Sequence, residues 1–230
     1  MTLPSKPHRS IRSFVRREGR ITDGQRRALA ELLPRYGVEP GEAPLEFVKR
    51  FGREAPVHLE IGFGNGEALA AMALAHPQND YFGIEVHRPG VGVLLRRLDV
   101  EGIPNVRVAC TDAKEILERR IPDATLGAVY IFFPDPWHKQ RHHKRRLVQP
   151  EFITLLRRKL KIGGMLHLAT DWEDYARQML AVLSSAEGFE NDAGVGQVAP
   201  RPATRPLTKF ERRGHRLGHA VWDLVFRRRS

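Results

Sequence analysis

The 230-residue chain has a single cysteine, no long apolar run and too few acids to balance its bases. One thiol, Cys110, cannot close an intrachain disulfide, so a reducing compartment is expected. No stretch approaches the roughly 20 consecutive apolar residues needed to cross a bilayer. The first residues, MTLPSKPHRSIRSFVRREGR, lack the apolar core of a secretory signal. The expected location is therefore cytoplasmic. Neither an internal repeat nor a low-complexity tract is present. Against 27 Asp and Glu stand 38 Lys and Arg, a net charge of +11. That excess favours a polyanionic partner, either nucleic acid or an anionic membrane surface.

What is present is a regular alternation. Residues 1–22 read as a mobile basic arm, and 23–55 as a helical lead-in and linker. In the lead-in, 23–36 forms a short amphipathic helix with Asp23 as N-cap, broken at Pro34. Residues 56–230 read as a single domain. VHLEIG (57–62), YFGIEV (81–86), VRVACTD (106–112), LGAVYIFFP (126–134) and GMLHLATD (164–171) are short apolar strands. Helical segments separate them. This pattern predicts an α/β fold, a mostly parallel sheet with helices on both faces. The last segment, LGHAVWDLVFRR, has no helix after it and predicts an antiparallel C-terminal edge strand. Ligands on such sheets sit beyond the carboxyl ends of the strands, where the chemically distinctive residues fall.

The first strand runs into E-I-G-F-G-N-G, Glu60 to Gly66. Gly62, Gly64 and Gly66 permit a tight turn and a close ligand approach. Their spacing is not the G-x-G-x-x-G of dinucleotide sites, and Glu60 would repel a pyrophosphate placed over the next helix N-terminus. A carboxylate there suits a cationic ligand such as S-adenosylmethionine, which carries a sulfonium and an ammonium. The pattern resembles the first motif of class I methyltransferases. Glu85 ends the second strand, placed to receive ribose hydroxyls. Asp112 ends the third, placed for the adenine amine, with Ala113 closing over the ring.

The fourth strand delivers IFFPDPWHKQRHHKRR, 131–146. Two prolines restrict the backbone around Asp135. Trp137 offers a face on which a base stacks, and five Lys/Arg with three His supply a track for phosphates. His138, His142 and His143 lack the Cys or carboxylate partners of a metal site. Cys110 reads as a small buried hydrophobe. Trp172 and Trp222 read as packing residues, and His87 either shapes the donor pocket or caps the following helix.

F-P-D-P-W-x-K-x-R-H-x-K-R-R-L closely resembles the signature of the bacterial tRNA (guanine-N7-)-methyltransferase family. SFVRREGRITDGQ (13–25), TDWEDYA (170–176) and TRPLTKFERRGHRLGHAVWDL (204–224) extend the resemblance over nearly the whole chain, in family order. It implies a Rossmann-like class I methyltransferase sheet and transfer of a methyl group from S-adenosylmethionine to guanine N7 in tRNA, at guanine 46 of the variable loop. It implies further that Glu60, Glu85, Asp112 and Asp135 contact the donor, with Asp135 catalytic. Lys139, Asp171 and the segment Thr208, Lys209, Phe210, Glu211 would hold the guanosine. Arg141, His142, His143, Lys144, Arg145 and Arg146 would touch the tRNA backbone. Arg17, Arg20 and Gln25 are further contacts from the N-terminal side. A monomer or homodimer suffices, with no obligate protein partner. Two alternatives stay open at this level: a methyltransferase acting on an exocyclic amine, and a non-catalytic RNA-binding module on the same fold.

Overall fold

The computed structural model describes residues 13–14, 19–38, 41–216, 218 and 220–230, without the side chains of Lys209, Phe210, Arg213 and His215. Most of the expected basic arm, Arg17 included, lies outside the described residues.

Five strands are parallel or nearly continuous with the expected runs: β1 (Val57–Ile61), β2 (Asp80–Ile84), β3 (Val106–Ala109), β4 (Leu126–Phe132) and β5 (Leu160–Thr170). Two more, β6 (Phe189–Asn191) and β7 (Trp222–Arg228), complete a sheet of order β3-β2-β1-β4-β5-β7-β6. The pairings β3-β2, β2-β1, β1-β4 and β4-β5 are parallel, while β7 is antiparallel to both β5 and β6. The antiparallel strand expected at the C-terminus is therefore there, but the three-residue β6 covers it and forms the outer edge.

The strands are buried on both faces because each face carries its own apolar layer. In β4, Val129 and Ile131 join the layer under α6 (Ala113–Arg119), α7 (Pro150–Lys159) and α8 (Glu173–Ser184). Ala128, Tyr130 and Phe132 alternate into the opposite layer. That layer lies under α1 (Asp23–Glu31), α4 (Glu67–Ala75) and α5 (Arg88–Val100). The period of two is the strand's own pleat.

The lead-in is packed into the domain. Residue Val38 donates its N–H to the Val108 carbonyl, Leu45 is 3% exposed, and Ala28 and Leu29 of α1 are buried. The break after α1 falls where expected, with Pro34 in the first turn of α2 (Leu33–Tyr36). The cap differs: Thr22, not Asp23, is the N-cap, with Gln25 completing a reciprocal capping box. A hydroxyl at that position satisfies an orphan N–H that an acid one residue later cannot reach. Gln25, expected as an RNA contact, has its side-chain oxygen engaged in that box. α3 (Phe47–Phe51) and α9 (Lys209–Arg216) are additional short helices.

Candidate active site

β1 and β4 are neighbours that lead in opposite directions through the sheet order, so a crevice opens beyond their carboxyl ends. Gly62, Gly64 and Gly66 all have positive φ, at 75°, 58° and 74°. A side chain at Gly66 would also meet Leu94 of α5, at 2.5 Å from its Cδ1. Turn and helix thus approach each other closely only because this residue lacks a Cβ.

Beneath the turn, Glu60 is 2% exposed and its Oε2 has no hydrogen-bond partner among the described residues. Burial, reinforced by the charge of Glu85, pushes its pKa from the ordinary 4.5 up to about 8. Burial favours the neutral form of such an acid, and a cation beside it would favour the charged one. Glu85, 8% exposed, already accepts three backbone hydrogen bonds. Gly64 N donates to Oε2 at 2.8 Å, while Val86 N and His87 N donate to Oε1 at 2.7 and 2.8 Å. A carboxylate offers about four acceptor directions, so Glu85 braces the glycine turn and retains roughly one for a ligand. Asp112 is the N-cap of α6 and accepts from Lys114 N at 2.9 Å. Ala113 is buried just behind it.

A cleft of about 1160 Å³ brings together Glu85, Val86, His87, Cys110, Asp135, Trp137, Lys139 and His142. Phe14, Arg20, Ile21, Arg26 and Arg88 line it as well. Cys110 is exposed here rather than buried, because β3 ends at Ala109 and releases it at the strand tip. His87 occupies the N-cap position of α5 without a side-chain capping bond and instead faces the cleft.

Asp135 is exposed in the turn after β4 and accepts from Trp137 N at 3.2 Å. Phe133 and Trp137, on either side, have φ of 52° and 46°. Such values cost a non-glycine residue about 1–3 kcal/mol and persist where neighbours over-determine them. Trp137 is held on several sides. Its indole N–H donates to the Ser13 carbonyl at 3.1 Å, and the Arg145 guanidinium lies over its ring at 4.0 Å. The face expected to receive a base is thus covered by a cation on one side. Trp172, expected to be packing, is 39% exposed and meets His138 edge-on at 4.2 Å between ring centres.

The basic run folds as a 3-10 helix, Gln140–Arg145. Lys139, Arg141 and Lys144 are exposed, and His142, His143 and Arg145 are half-buried. Desolvation and the neighbouring cations, Arg141 foremost, lower the pKa of His142, which favours its neutral form. Arg146 does not share the outward face. It is 2% exposed, and donates to the Pro136 carbonyl at 2.8 Å and to Asp174 Oδ2 at 2.6 Å. Of the six residues expected along the tRNA backbone, it alone is turned inward.

The third group lies on β5, β7 and α9. Asp171 follows β5, where Trp172 N donates to Thr170 Oγ1. Thr208 Oγ1 accepts from Glu211 N at 3.2 Å, placing Glu211 in the first turn of α9. Glu211 is 1% exposed and its carboxylate receives a two-pronged ion pair from Arg205, at 2.6 and 2.7 Å. Arg205 also holds Asp223, which in turn meets His167 Nε2 at 2.7 Å. Burial alone would raise the Asp223 pKa. Hydrogen bonds from His167 and Arg205, with the guanidinium charge, outweigh that and hold it below the usual range. A pocket of about 540 Å³ opens over Arg205, Glu211 and Asp223. Arg205 was not anticipated from sequence: one arginine among 38 basic residues carries no local mark of burial.

Comparison with known proteins identifies the family. Residues 54–224 match a family model described as a putative methyltransferase. A tRNA (guanine-N(7)-)-methyltransferase of Aeromonas hydrophila is 59% identical over 220 residues, 96% of this chain and 93% of that one. The protein of the same name from Alcanivorax borkumensis is 56% identical, covering 98% of this chain and 94% of the relative. Among solved structures, a 16S rRNA methyltransferase superposes with a TM-score of 0.60 at 17% identity, covering 80% of this chain and 93% of that one. An antibiotic-related methyltransferase superposes at 0.56 and 16% identity, covering 82% and 94%. Those two likenesses concern the fold alone. With the glycine turn, the desolvated acid beneath it and relatives this similar over nearly their full length, the chain belongs to the tRNA (guanine-N7-)-methyltransferase family.

Proposed function

We propose that S-adenosylmethionine lies against the glycine turn, reaching the cleft at Glu85, which borders both, beside a single guanine of tRNA, guanine 46 of the variable loop, with Asp135 acting on that base. As a member of its family the enzyme methylates guanine N7 in tRNA. The donor supplies a methyl group on a sulfonium, open to in-line displacement. The observation that carries the assignment is the buried Glu60 carboxyl, whose Oε2 has no partner among the described residues and whose pKa is raised by burial to about 8. Such a site fits a cationic ligand and penalises an anionic one.

Glu60 and the Gly62–Gly66 turn hold the amino-acid end of the donor, Glu85 the ribose, and Asp112 with Ala113 the adenine. Guanine N7 carries an in-plane lone pair, so no strong base is required and positioning supplies most of the rate. The purine becomes cationic as the bond forms. Asp135, fixed in its turn, faces that charge and favours it. Lys139 and Asp171 hold the guanosine, and Asp171 is assigned the reading of its N1–H and exocyclic amine. The segment Thr208, Lys209, Phe210 and Glu211 holds the guanosine as well, with Glu211 braced by Arg205. Exposed Lys139, Arg141 and Lys144, with His142, His143 and Arg145, follow the phosphates. One chain carries both donor cleft and cationic track, so a cytoplasmic monomer suffices, and a homodimer is an alternative arrangement.

The test is incubation with labelled donor and unmodified tRNA, followed by borohydride and aniline treatment. Cleavage at guanine 46 is expected. Label incorporated without chain cleavage would point to an exocyclic amine, and donor-independent RNA binding without label would point to a binding module.

A further inference from the structure

The run HKQRHHKRR presents its cations in two directions. Those of Lys139, Arg141 and Lys144 face solvent. The Arg146 side chain, 1% exposed, points into the protein. Its Nε donates to the Pro136 carbonyl at 2.8 Å, its Nη1 to Gln178 Oε1 at 2.5 Å, and its Nη2 to Asp174 Oδ2 at 2.6 Å. Nη2 also meets His143 Nε2 at 3.0 Å. The guanidinium lies over the Tyr175 ring at 4.8 Å. Tyr175 accepts from Val148 N, and Gln178 donates to the Val148 carbonyl. Every donor group of this fork is therefore engaged within the protein, and a phosphate would have to displace a buried ion pair to reach it.

The bond to the Pro136 carbonyl matters because of where that carbonyl lies. Pro136 follows Asp135 directly, and Trp137, next along, is held at a φ of 46°. The prolines narrow the turn, but they do not tie it to the rest of the fold. Arg146 does so, linking the turn to Asp174 and Gln178, one helical turn apart on α8.

We propose that Arg146 is the positioning residue of Asp135: it fixes the Pro134–Trp137 turn to α8 so that the carboxylate faces the reacting guanine. This rests on the reading of Asp135 as the residue that acts on the base. A lysine keeps the charge but loses the planar fork that reaches three acceptors at once.

The test compares Arg146→Lys with Arg141→Ala, Asp174→Asn and Asp135→Asn in the full chain with tRNA. Arg146→Lys is expected to lower the single-turnover rate at saturating tRNA and donor by tenfold or more, since misplacement of about 1 Å costs about a hundredfold. Its tRNA affinity and the slope of that affinity against salt stay at wild-type values. Arg141→Ala, losing an exposed phosphate contact, flattens the slope by about one ion. Asp174→Asn changes a carboxylate whose side chain is 61% exposed, so it tests the same tie with little risk to folding, and its rate falls in the same direction. On an Asp135→Asn background, Arg146→Lys adds little further loss, because the two act as a unit. A wild-type rate for both Arg146→Lys and Asp174→Asn overturns the proposal, as does a salt slope reduced by one in Arg146→Lys. So does an equal loss on both backgrounds. A wild-type rate for Asp135→Asn alone instead removes the catalytic reading of Asp135.

Discussion

Replacing Glu60 with glutamine isolates the electrostatic state of the proposed donor site. In the ligand-free protein the rise of this pKa from 4.5 to about 8 corresponds, at about 1.4 kcal/mol per tenfold change in acidity, to about 5 kcal/mol. The sign follows from proton linkage. Between those two values the folded state binds more protons than the unfolded one, so stability falls as pH rises from 4.5 and the loss is complete above 8. About 3 kcal/mol of it is present at pH 7, a large share of the ~5–15 kcal/mol that holds a domain together. Glu60→Gln keeps the shape and cannot ionise. Denaturant unfolding of both proteins without donor, at pH 5 and pH 9, is the assay. The variant is expected to gain on the wild type by about 4 kcal/mol across that interval. It should bind S-adenosylmethionine at least tenfold more weakly. Wild-type binding at pH 7 should release close to one proton, measured by calorimetry in buffers of different ionisation enthalpy. Parallel stability curves for the two proteins would refute the argument that Glu60 is a desolvated acid awaiting a cation.

Asp135→Ala should lose most turnover, a hundredfold or more at saturating substrates, while donor affinity measured by titration falls only several-fold. Gly66→Ala forces a Cβ against Leu94 at a φ of 74°; a loss of about 2 kcal/mol in unfolding free energy and weaker donor binding are expected. Arg205→Met leaves Glu211 and Asp223 buried without their shared cation, so a loss of about 3–5 kcal/mol is expected in chemical denaturation at pH 7. The Asp223 contribution lies above its unfolded pKa near 3.8 and disappears as pH falls below that value through its lower folded pKa. The wild type should therefore lose this part of its stability in acid unfolding, and an Asp223→Asn variant should show a flatter profile there.

Much of the fold was legible in the chain because its signals are local. Alternating apolar strands and helices imply a two-sided parallel sheet wherever they occur, and three glycines after a strand imply a turn few other residues can make. The positions of Glu60, Glu85, Asp112 and Asp135 at strand ends followed from the same reading. The short β6 strand leaves little trace in three residues, and at the start of α1 Thr22 and Asp23 are adjacent residues that both suit an N-cap.

The one-dimensional pattern by itself determined the architecture, the cationic character of the run after β4 and the identity of the acids at the strand ends. Their states were decided only in three dimensions. Whether Glu60 is charged depends on the surfaces that exclude water from it. Whether an arginine meets RNA or the protein depends on partners far along the chain. Arg146 finds Asp174 at 28 residues' separation, and Arg205 finds Asp223 at 18. Helix and strand periods are set by neighbours a few residues apart, whereas desolvation and ion pairing are set by whatever the finished packing brings within a few ångströms.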